Sequence, residues 1–309
     1  MKCVLLGSGG MMPMPYRSLI SLVIRFQGCL YMFDAGEGVQ VGLKKVKLGI
    51  KPLRVIAISH LHGDHCLGLP GILMMRAQVP EPGLLTIIGP PGIKRFVLQL
   101  KEILGFVLNY PISFIEWDEK APEIAYEDEL VRVIWGTLKH TTFCLGYRFE
   151  EHARPGKFRP DSAIALGIPK GPAWGKLQKG ENVTLENGAC IPAEQVLGKP
   201  RPGRNVCYGV DTIANKVLYR LCKDVDIAFL DGMFMPEHQE EATAKGHMTV
   251  DDAARVALRA GARKAVLVHI SPRYTDEDLN KLTEAAVKRF GAAEIGRDFQ
   301  SYDIGLRDE

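Results

Sequence analysis

Several features that fix a protein's class at a glance are missing from this sequence. The seven cysteines are odd in number and scattered, and no Cys-x-x-Cys pair is present. This argues against a disulfide framework or a cysteine-based zinc knuckle, so we expect reduced, mostly buried thiols. The formal net charge is only +3, which is too small to indicate nucleic-acid binding by itself. Any basic surface would have to come from local clustering of lysine and arginine.

Long apolar runs are missing as well. The start, Met1–Gly7, lacks a long apolar stretch with a cleavage site, and no later run approaches the ~20 apolar residues of a membrane span. We therefore expect a cytoplasmic protein with no membrane partner. Of the 309 residues, 46% are hydrophobic and 24% charged, which is the composition of a globular protein with a large core. Length alone allows one domain or two.

The feature that organises the chain is a histidine-rich turn at Ser59–His65, directly after the apolar run Val55–Ile58. In an extended turn, side chains two apart point the same way. His60 and His62 can therefore bind one cation, while Asp64 and His65 face another. Imidazole and carboxylate ligands suit zinc, and manganese fits them too. The alternative is a solvated turn that happens to be rich in histidine.

The rest of the chain alternates predicted strands and helices, which indicates an α/β protein. Because no helix is predicted between the strands from 112 to 149, we expect that part of the sheet to be antiparallel. The predicted strands are 2–6, 19–26, 30–33, 55–58, 84–88, 112–117, 131–138, 145–149, 205–210, 227–230 and 265–268. The predicted helices are 39–47, 71–78, 92–104, 215–223, 250–260 and 276–290.

Three further candidate ligands each follow an apolar strand: His140, Asp211 and His269. Singly, each is more typical of a cap or turn residue. Together with the turn at 59–65 they predict one metal site, because α/β proteins build sites where strand ends converge. Asp34 also follows a strand. It is either a plain turn residue or a hydrogen-bond acceptor that orients a ligand histidine.

The segment 152–204 differs in character, with many prolines and glycines and weak apolar periodicity. It carries nine lysines or arginines against four acidic residues, one of which is Glu186. We expect an insert without regular structure, and such long inserts are usually functional or mobile. It is either a solvated surface excursion or a basic arm that contacts phosphates, with Trp174 available to stack on a base.

The combined pattern, His60-x-His62-x-Asp64-His65 with His140, Asp211 and His269, resembles the metallo-β-lactamase superfamily and, within it, the ribonuclease Z family. The resemblance covers nearly the whole chain. It rests also on Phe33–Gly38, Gly68–Gly71, Gly246–Thr249 and, in the insert, Gly167–Pro172 and Pro202–Arg204. It implies a four-layer αββα sandwich, with 1–309 as one domain and 152–204 as a protruding arm. That arm resembles the family's exosite, which holds the tRNA elbow.

The resemblance also implies a reaction and the residues that carry it. The family removes 3′ trailers from precursor tRNA with a hydroxide shared by two metals, and it forms homodimers. One divalent ion would bind His60, His62, His140 and Asp211, and the other Asp64, His65, Asp211 and His269. Zinc is the expected metal, with manganese as the alternative. Residues expected to bind substrate in the arm are Lys157, Arg159, Lys170, Gly171, Pro172 and Lys176.

Proton transfer would use His247, which the resemblance places as donor to the leaving alkoxide. In the family a glutamate of a His-Glu-Ala-Thr-like segment keeps this histidine protonated, and here Asp231 is the candidate, with a shorter reach. Asp64 would additionally accept a proton from the attacking water.

Two departures from the family pattern bear on the substrate. Ser18 follows Arg17 where the family usually has an Arg-Asn pair, and Ile213 stands where the family has arginine. Two alternatives to the tRNA reaction therefore stay open. One is a phosphodiesterase or other hydrolase that acts on a small molecule, and the other is a non-catalytic metal-binding relative.

Overall fold

Two seven-stranded β-sheets carry the fold of residues 1–185 and 188–307, which are the residues that the computed structural model describes. The strands of the first sheet, numbered along the chain, lie in the order β16 (Ser301–Asp303), β1 (Lys2–Gly7), β2 (Ser21–Phe26), β3 (Cys29–Phe33), β4 (Leu53–Ala57), β5 (Leu85–Gly89) and β6 (Ile112–Glu116). Neighbours from β16 to β3 are antiparallel and those from β3 to β6 are parallel.

The strands of the second sheet lie in the order β15 (Ala293–Ile295), β14 (Ala265–Val268), β13 (Ile227–Asp231), β12 (Asn205–Gly209), β9 (Phe143–Glu151), β8 (Val131–Lys139) and β7 (Ile124–Glu127). The pairs from β15 to β12 are parallel, and antiparallel pairs join β12 to β9 and β8 to β7. The expectation of one antiparallel stretch over 112–149 was wrong for β6. That strand follows a helical crossover from β5, so it pairs parallel to β5 in the first sheet.

Six of the ten described α-helices cover the outer faces of the two sheets. The helices of the first half of the chain are α1 (Val39–Lys45), α2 (Gly63–Cys66), α3 (Leu69–Ala77) and α4 (Ile93–Leu104). The later helices are α5 (Pro160–Ala165), α6 (Pro172–Gln178), α7 (Lys216–Leu221), α8 (Gln239–Ala244), α9 (Val250–Ala260) and α10 (Leu279–Arg289). Apolar residues of α1, α3 and α4 pack on the first sheet, and those of α7, α9 and α10 on the second. The predicted αββα layering is confirmed.

The central core lies between the two sheets and consists largely of strand side chains. Phe33 of the first sheet contacts Tyr147 and Tyr208 of the second, with ring centroids 5.8 and 5.7 Å apart. Every residue of β3 is buried, as expected for a strand covered on both faces. These apolar runs made the strands predictable.

Helix α9 is capped at both ends. Thr249 is the N-cap, and its side chain accepts a hydrogen bond from the Asp252 N–H. Gly261 ends the helix with φ of 76°, a left-handed conformation that glycine adopts without strain. The Asp252 carboxylate pairs with Arg255, so only half of a reciprocal capping box is present.

Residues Glu151–Arg204 form a second compact unit, together with the described residues Leu306 and Arg307. The first unit comprises Met1–Glu150 and Asn205–Gly305. Within 151–204 the structure describes α5, α6 and a two-stranded sheet of β10 (Val183–Thr184) and β11 (Cys190–Ile191). The expectation of an insert without regular structure was therefore wrong. Glu186, counted above, lies outside the described residues.

The insert has its own apolar cluster, which includes Ile168, Leu177 and Val196. Trp174 packs against Phe158 with ring centroids 5.0 Å apart, and its indole N–H donates to the Ile168 carbonyl. The indole predicted to be available for stacking on a base is thus half-buried within the insert.

All seven cysteines are free thiols, and all but Cys190 are buried, as predicted. The helices that the structure describes include none with the length and apolar character needed to cross a membrane.

Candidate metal centre and catalytic site

The site lies where several strands end at one edge of the sheets. Asp34 follows β3, Asp211 comes two residues after β12, and His269 follows β14. All three have left-handed backbone angles, with φ of 55°, 51° and 61°. Aspartate and histidine tolerate this conformation better than β-branched residues do. The chain therefore turns sharply at each strand end and leaves these side chains at the edge.

One group of potential ligands joins His60, His62, His140 and Asp211, whose donor atoms lie within 4.8 Å of one another. The Asp211 Oδ2 is 3.7 Å from the Nε2 of both His60 and His140. This is the first predicted ligand set, and the structure brings all four of its residues together.

A second group joins Asp64, His65 and His269. The other Asp211 oxygen, Oδ1, lies 3.3 Å from His65 Nε2 and 3.2 Å from His269 Nε2. Asp211 thus presents one oxygen to each group, which is the geometry of a bridging carboxylate. The predicted sharing of Asp211 between two ions fits this arrangement.

The donor set fits divalent cations. Among the described residues, His60 Nε2 and Asp211 Oδ1 are buried atoms without a hydrogen-bond partner, although both point into a cluster of donors. Buried polar atoms of this kind need an explanation, and a bound ion supplies one. Burial and the neighbouring His65 hold the pKa of His60 well below its usual value, so its neutral imidazole is ready to bind a metal.

Asp34 is an orienting acceptor and not a plain turn residue. Its buried carboxylate accepts hydrogen bonds from the Ser59 N–H (2.6 Å), the Ser59 hydroxyl (2.8 Å) and the Tyr208 hydroxyl (2.8 Å). It also lies 2.7 Å from His65 Nδ1. This contact leaves Nε2 of His65 for the ligand cluster, and it fixes the ring orientation.

Sequence reasoning missed Ser59 and Tyr208 as supports of the site. The Ser59 hydroxyl lies 3.0 Å from His60 Nδ1, so it also orients the first histidine of the turn. The position of Ser59 directly before His60 in the sequence could have indicated this role. Tyr208 reaches Asp34 across 174 positions of sequence, and no local pattern indicates that contact.

His247 and Asp231 form a pair beside the ligand groups. His247 Nδ1 is 2.8 Å from Asp231 Oδ2, so the shorter aspartate does reach the histidine. Burial lowers the pKa of His247, but the Asp231 carboxylate outweighs it and raises that pKa to about 9. The His247 ring stacks on His269 with centroids 5.4 Å apart. Asp231 is itself fixed by the N–H groups of Thr212 and Met233.

Gly246, directly before His247, leaves room for the imidazole of His140 in the first ligand group. His140 Nδ1 lies 3.0 Å from the Gly246 carbonyl, which orients its ring. Gly246 has φ of 74°, and a Cβ at this position would lie 2.9 Å from His140 Nδ1. The residue before His247 therefore has to be glycine for both histidines to keep their places.

At Ser18 and Ile213, the two positions that depart from the family pattern, the backbone N–H makes the local hydrogen bond. Ser18 contributes its N–H, which donates to Asp298 Oδ2 at 2.6 Å. Ile213 donates its N–H to the Lys139 carbonyl at 3.0 Å. Neither contact depends on the side chain, so the local backbone is held despite both substitutions.

The six residues expected to bind substrate in the insert are all exposed. Gly171 and Pro172 form the start of α6, and the Lys170 ammonium lies 5.8 Å from the Trp174 ring centroid. Arg159 precedes α5 and donates a hydrogen bond to the Gln195 carbonyl. Their exposure is compatible with substrate contact, and that role stays a prediction.

Comparison with known proteins gives the same family. Two family models match: the metallo-β-lactamase superfamily over residues 20–74 and the β-lactamase superfamily domain over 194–270. The chain is 39% identical to a ribonuclease Z of Treponema denticola, over 100% of this chain and 99% of that one. It is 36% identical to a ribonuclease Z of Methanosarcina acetivorans, over the full length of both.

Among solved structures, the short form of human tRNase Z superposes with a TM-score of 0.71 at 23% identity, covering 99% of this chain and 100% of the human one. This likeness concerns the fold, and the full-length sequence matches identify the family. Together with the candidate ligand cluster, that family implies divalent metals. The chain belongs to the ribonuclease Z family of the metallo-β-lactamase superfamily.

Proposed function

We propose that this protein is a metal-dependent endoribonuclease that cleaves 3′ trailers from precursor tRNA. The observation that carries the proposal is the site itself: two ligand groups share Asp211, and the His247–Asp231 pair lies beside them. It occurs in a chain that matches proteins named ribonuclease Z over its whole length. Divalent ions held there would activate water and neutralise charge on the scissile phosphate.

The proton-transfer steps of the proposed reaction are assigned to three side chains. His247 is the proposed proton donor to the leaving alkoxide. Its Nδ1 faces Asp231 at 2.8 Å, so Nε2 is the atom free to carry the transferable proton. Asp231 stabilises the protonated imidazole and fixes its orientation. Asp64 is the proposed acceptor of the proton from water, and it also belongs to the second ligand group.

We propose zinc as the metal at both positions, since five histidines and two carboxylates, one of them shared, suit it, with manganese as the alternative. We also propose a homodimer and a substrate-binding role for the insert 152–204, both on the family resemblance. The proposed compartment is the cytoplasm. The seven free thiols support it, because oxidising compartments favour disulfides.

The test is cleavage of a precursor tRNA by purified, metal-loaded protein, run beside a small phosphodiester such as bis(p-nitrophenyl) phosphate. We expect about two ions per chain and release of the 3′ trailer. Deleting 155–203 should abolish tRNA cleavage and spare the small substrate, because remote phosphate contacts mainly position a large ligand. Rapid turnover of the small substrate with intact precursor tRNA would instead favour the small-molecule hydrolase. No activity on either would favour a non-catalytic relative.

A further inference from the structure

The loop between β1 and β2 is closed at both ends by one distant carboxylate. Asp298 Oδ1 accepts hydrogen bonds from the Ser8 N–H at 2.9 Å and the Ser8 hydroxyl at 2.8 Å. Its Oδ2 accepts from the Ser18 N–H at 2.6 Å. Asp298 lies 280 positions from Ser18 in sequence, so this contact exists only in the folded chain.

The same loop touches two members of the second ligand group. The Met11 N–H donates to Asp64 Oδ2 at 2.6 Å. Gly10 lies against the imidazole of His269, where a Cβ would be 2.4 Å from Nε2. The Met11 hydrogen bond restricts the carboxylate rotation of Asp64, which is how groups behind a ligand orient it.

Asp298 is itself firmly placed. It lies in the turn between β15 and β16, and the next residue, Phe299, donates its N–H to the Leu5 carbonyl at 2.7 Å. The Gln300 carbonyl accepts from the Leu5 N–H at 2.9 Å. Asp298 thus belongs to the edge of the first sheet, and the loop ends are attached to that edge through its carboxylate.

We propose that Asp298 is a positioning residue for the second metal position. By holding Ser8 and Ser18 it fixes the loop so that the Met11 N–H orients the Asp64 carboxylate toward His65 and His269. The inference rests on the proposed two-metal function, but it concerns only one of the two ligand groups. The contacts of His60, His62 and His140 do not involve this loop, so their ion should be unaffected.

The test is a metal titration of the wild type and of D298A and D298N, with zinc and a competing chelator. We expect one of the two binding steps to lose about tenfold in affinity in D298A, within the range for groups that support metal ligands. The other step should not change. The affinity of D298N at the same step should lie between those of the wild type and D298A, because its one amide oxygen can still accept a hydrogen bond from one end of the loop. D303N is the matched control, since Asp303 is also near this edge and pairs with Lys2 at 3.8 Å on the surface.

A second readout is independent of metal. Hydrogen exchange at the Met11 amide of the metal-free protein should be faster in D298A than in the wild type and unchanged in D303N. Should D298A fail to fold, S8A removes a single hydrogen bond to Asp298 and should give a smaller change in the same direction. Equal weakening of both binding steps, or no change in either step or in Met11 exchange, would overturn the proposal. A wild type that binds two ions but leaves precursor tRNA intact would refute the proposed function alone.

Discussion

At the scale of single residues, the site depends on side chains held close to backbone and to one another. Asp34, Asp211 and His269 all adopt left-handed φ angles, a conformation that costs of order 1 kcal/mol or more per residue. At Asp34 the strain persists because the side chain has fixed partners: its carboxylate accepts hydrogen bonds from both Ser59 and Tyr208. Function and strain therefore coincide at these three strand ends.

Close packing at Gly10 gives the first prediction. In G10A the new methyl group would overlap the His269 ring, so either the ring or the loop that carries residue 10 must shift and the second ligand group is disturbed. We expect the affinity for one of two zinc ions to fall by about tenfold or more, with the other unchanged. G49A is the control, because a Cβ at Gly49 meets no atom within 4 Å. Equal zinc affinities in G10A and G49A would contradict this account of Gly10.

The pairing of Asp231 with His247 gives the second prediction. D231N removes the carboxylate that raises the pKa of His247 to about 9 and leaves the neighbouring ligands in place. We expect kcat on precursor tRNA to fall about 100-fold, the typical size of a general acid contribution. Metal content should stay at the wild-type value. D231E retains a carboxylate and should recover part of the rate, so a D231E no faster than D231N would argue against the assigned role.

At the scale of elements, the two ends of the insert are joined by a buried ion pair. The Arg204 guanidinium donates to both Glu151 oxygens, at 2.6 and 3.0 Å. Burial alone would raise the pKa of Glu151, but Arg204 outweighs it and holds that pKa below its usual value. The pair therefore stabilises the unit 151–204 above about pH 4.3, the unfolded pKa, and the stability is lost as pH falls through the folded pKa.

The third prediction follows from this pair. E151Q should lower the free energy of local opening by about 1.5–3 kcal/mol at pH 7, the range for hydrogen bonds to charged groups. The measurement is hydrogen exchange of amides in 154–201, which should also speed up in the wild type as the pH falls below about 4, after correction for intrinsic rates. E181Q is the control, because Glu181 is an exposed residue of the same unit. Similar exchange in both variants would show that the pair does not hold the insert.

A buried cation between loops gives the fourth prediction. The Arg76 side chain of α3 donates to the carbonyls of Ile50 at 2.9 Å, Lys51 at 3.2 Å and Pro82 at 2.5 Å. R76M would leave these carbonyls without their donor, so we expect a loss of about 2–3 kcal/mol in the free energy of unfolding. Urea unfolding measures it. R95M, on the exposed surface of α4, should change it by less than about 0.5 kcal/mol.

Helices and strands with a strong apolar or capping pattern could be predicted from the sequence, and those without such a pattern could not. The strands β4, β12 and β14 are apolar runs, and α9 begins at a threonine cap, so all four were found. Strands β15 and β16 have only three residues each, which is too short for a periodicity to show. In the insert, glycine and proline obscured α5 and α6, each of which starts at a proline.

The residues of the site also fall into those that the sequence predicts and those that it does not. The seven candidate ligands could be predicted, because the turn at 59–65 and three strand ends are visible in the sequence. Tyr208 and Asp298 could not, since their contacts join positions 174 to 290 residues apart. Such contacts are set by tertiary packing, which the local sequence does not encode.

At the scale of the whole molecule, the proposed homodimer gives the fifth prediction. Ile103, in the last turn of α4, and Val107, three residues after that helix, are large apolar residues that are 77% and 72% exposed. Exposed apolar side chains of this size favour an interface. We expect sedimentation equilibrium to give twice the chain mass for the wild type and the single chain mass for I103D/V107D. L258D, which changes a 49% exposed leucine of α9, is the control. A monomeric wild type would contradict the proposal.

In the proposed reaction, two ligand groups that share Asp211 act with His247 to cut precursor tRNA at the start of its 3′ trailer. The direct measurement is the cleavage rate of a precursor tRNA with a mapped 3′ trailer, for metal-loaded wild type and H247A of equal metal content. We predict one cut that releases the trailer and a rate at least about 100-fold lower for H247A. If the fully metal-loaded wild type leaves the precursor uncut, or if both proteins cut it at equal rates, the proposed reaction is wrong.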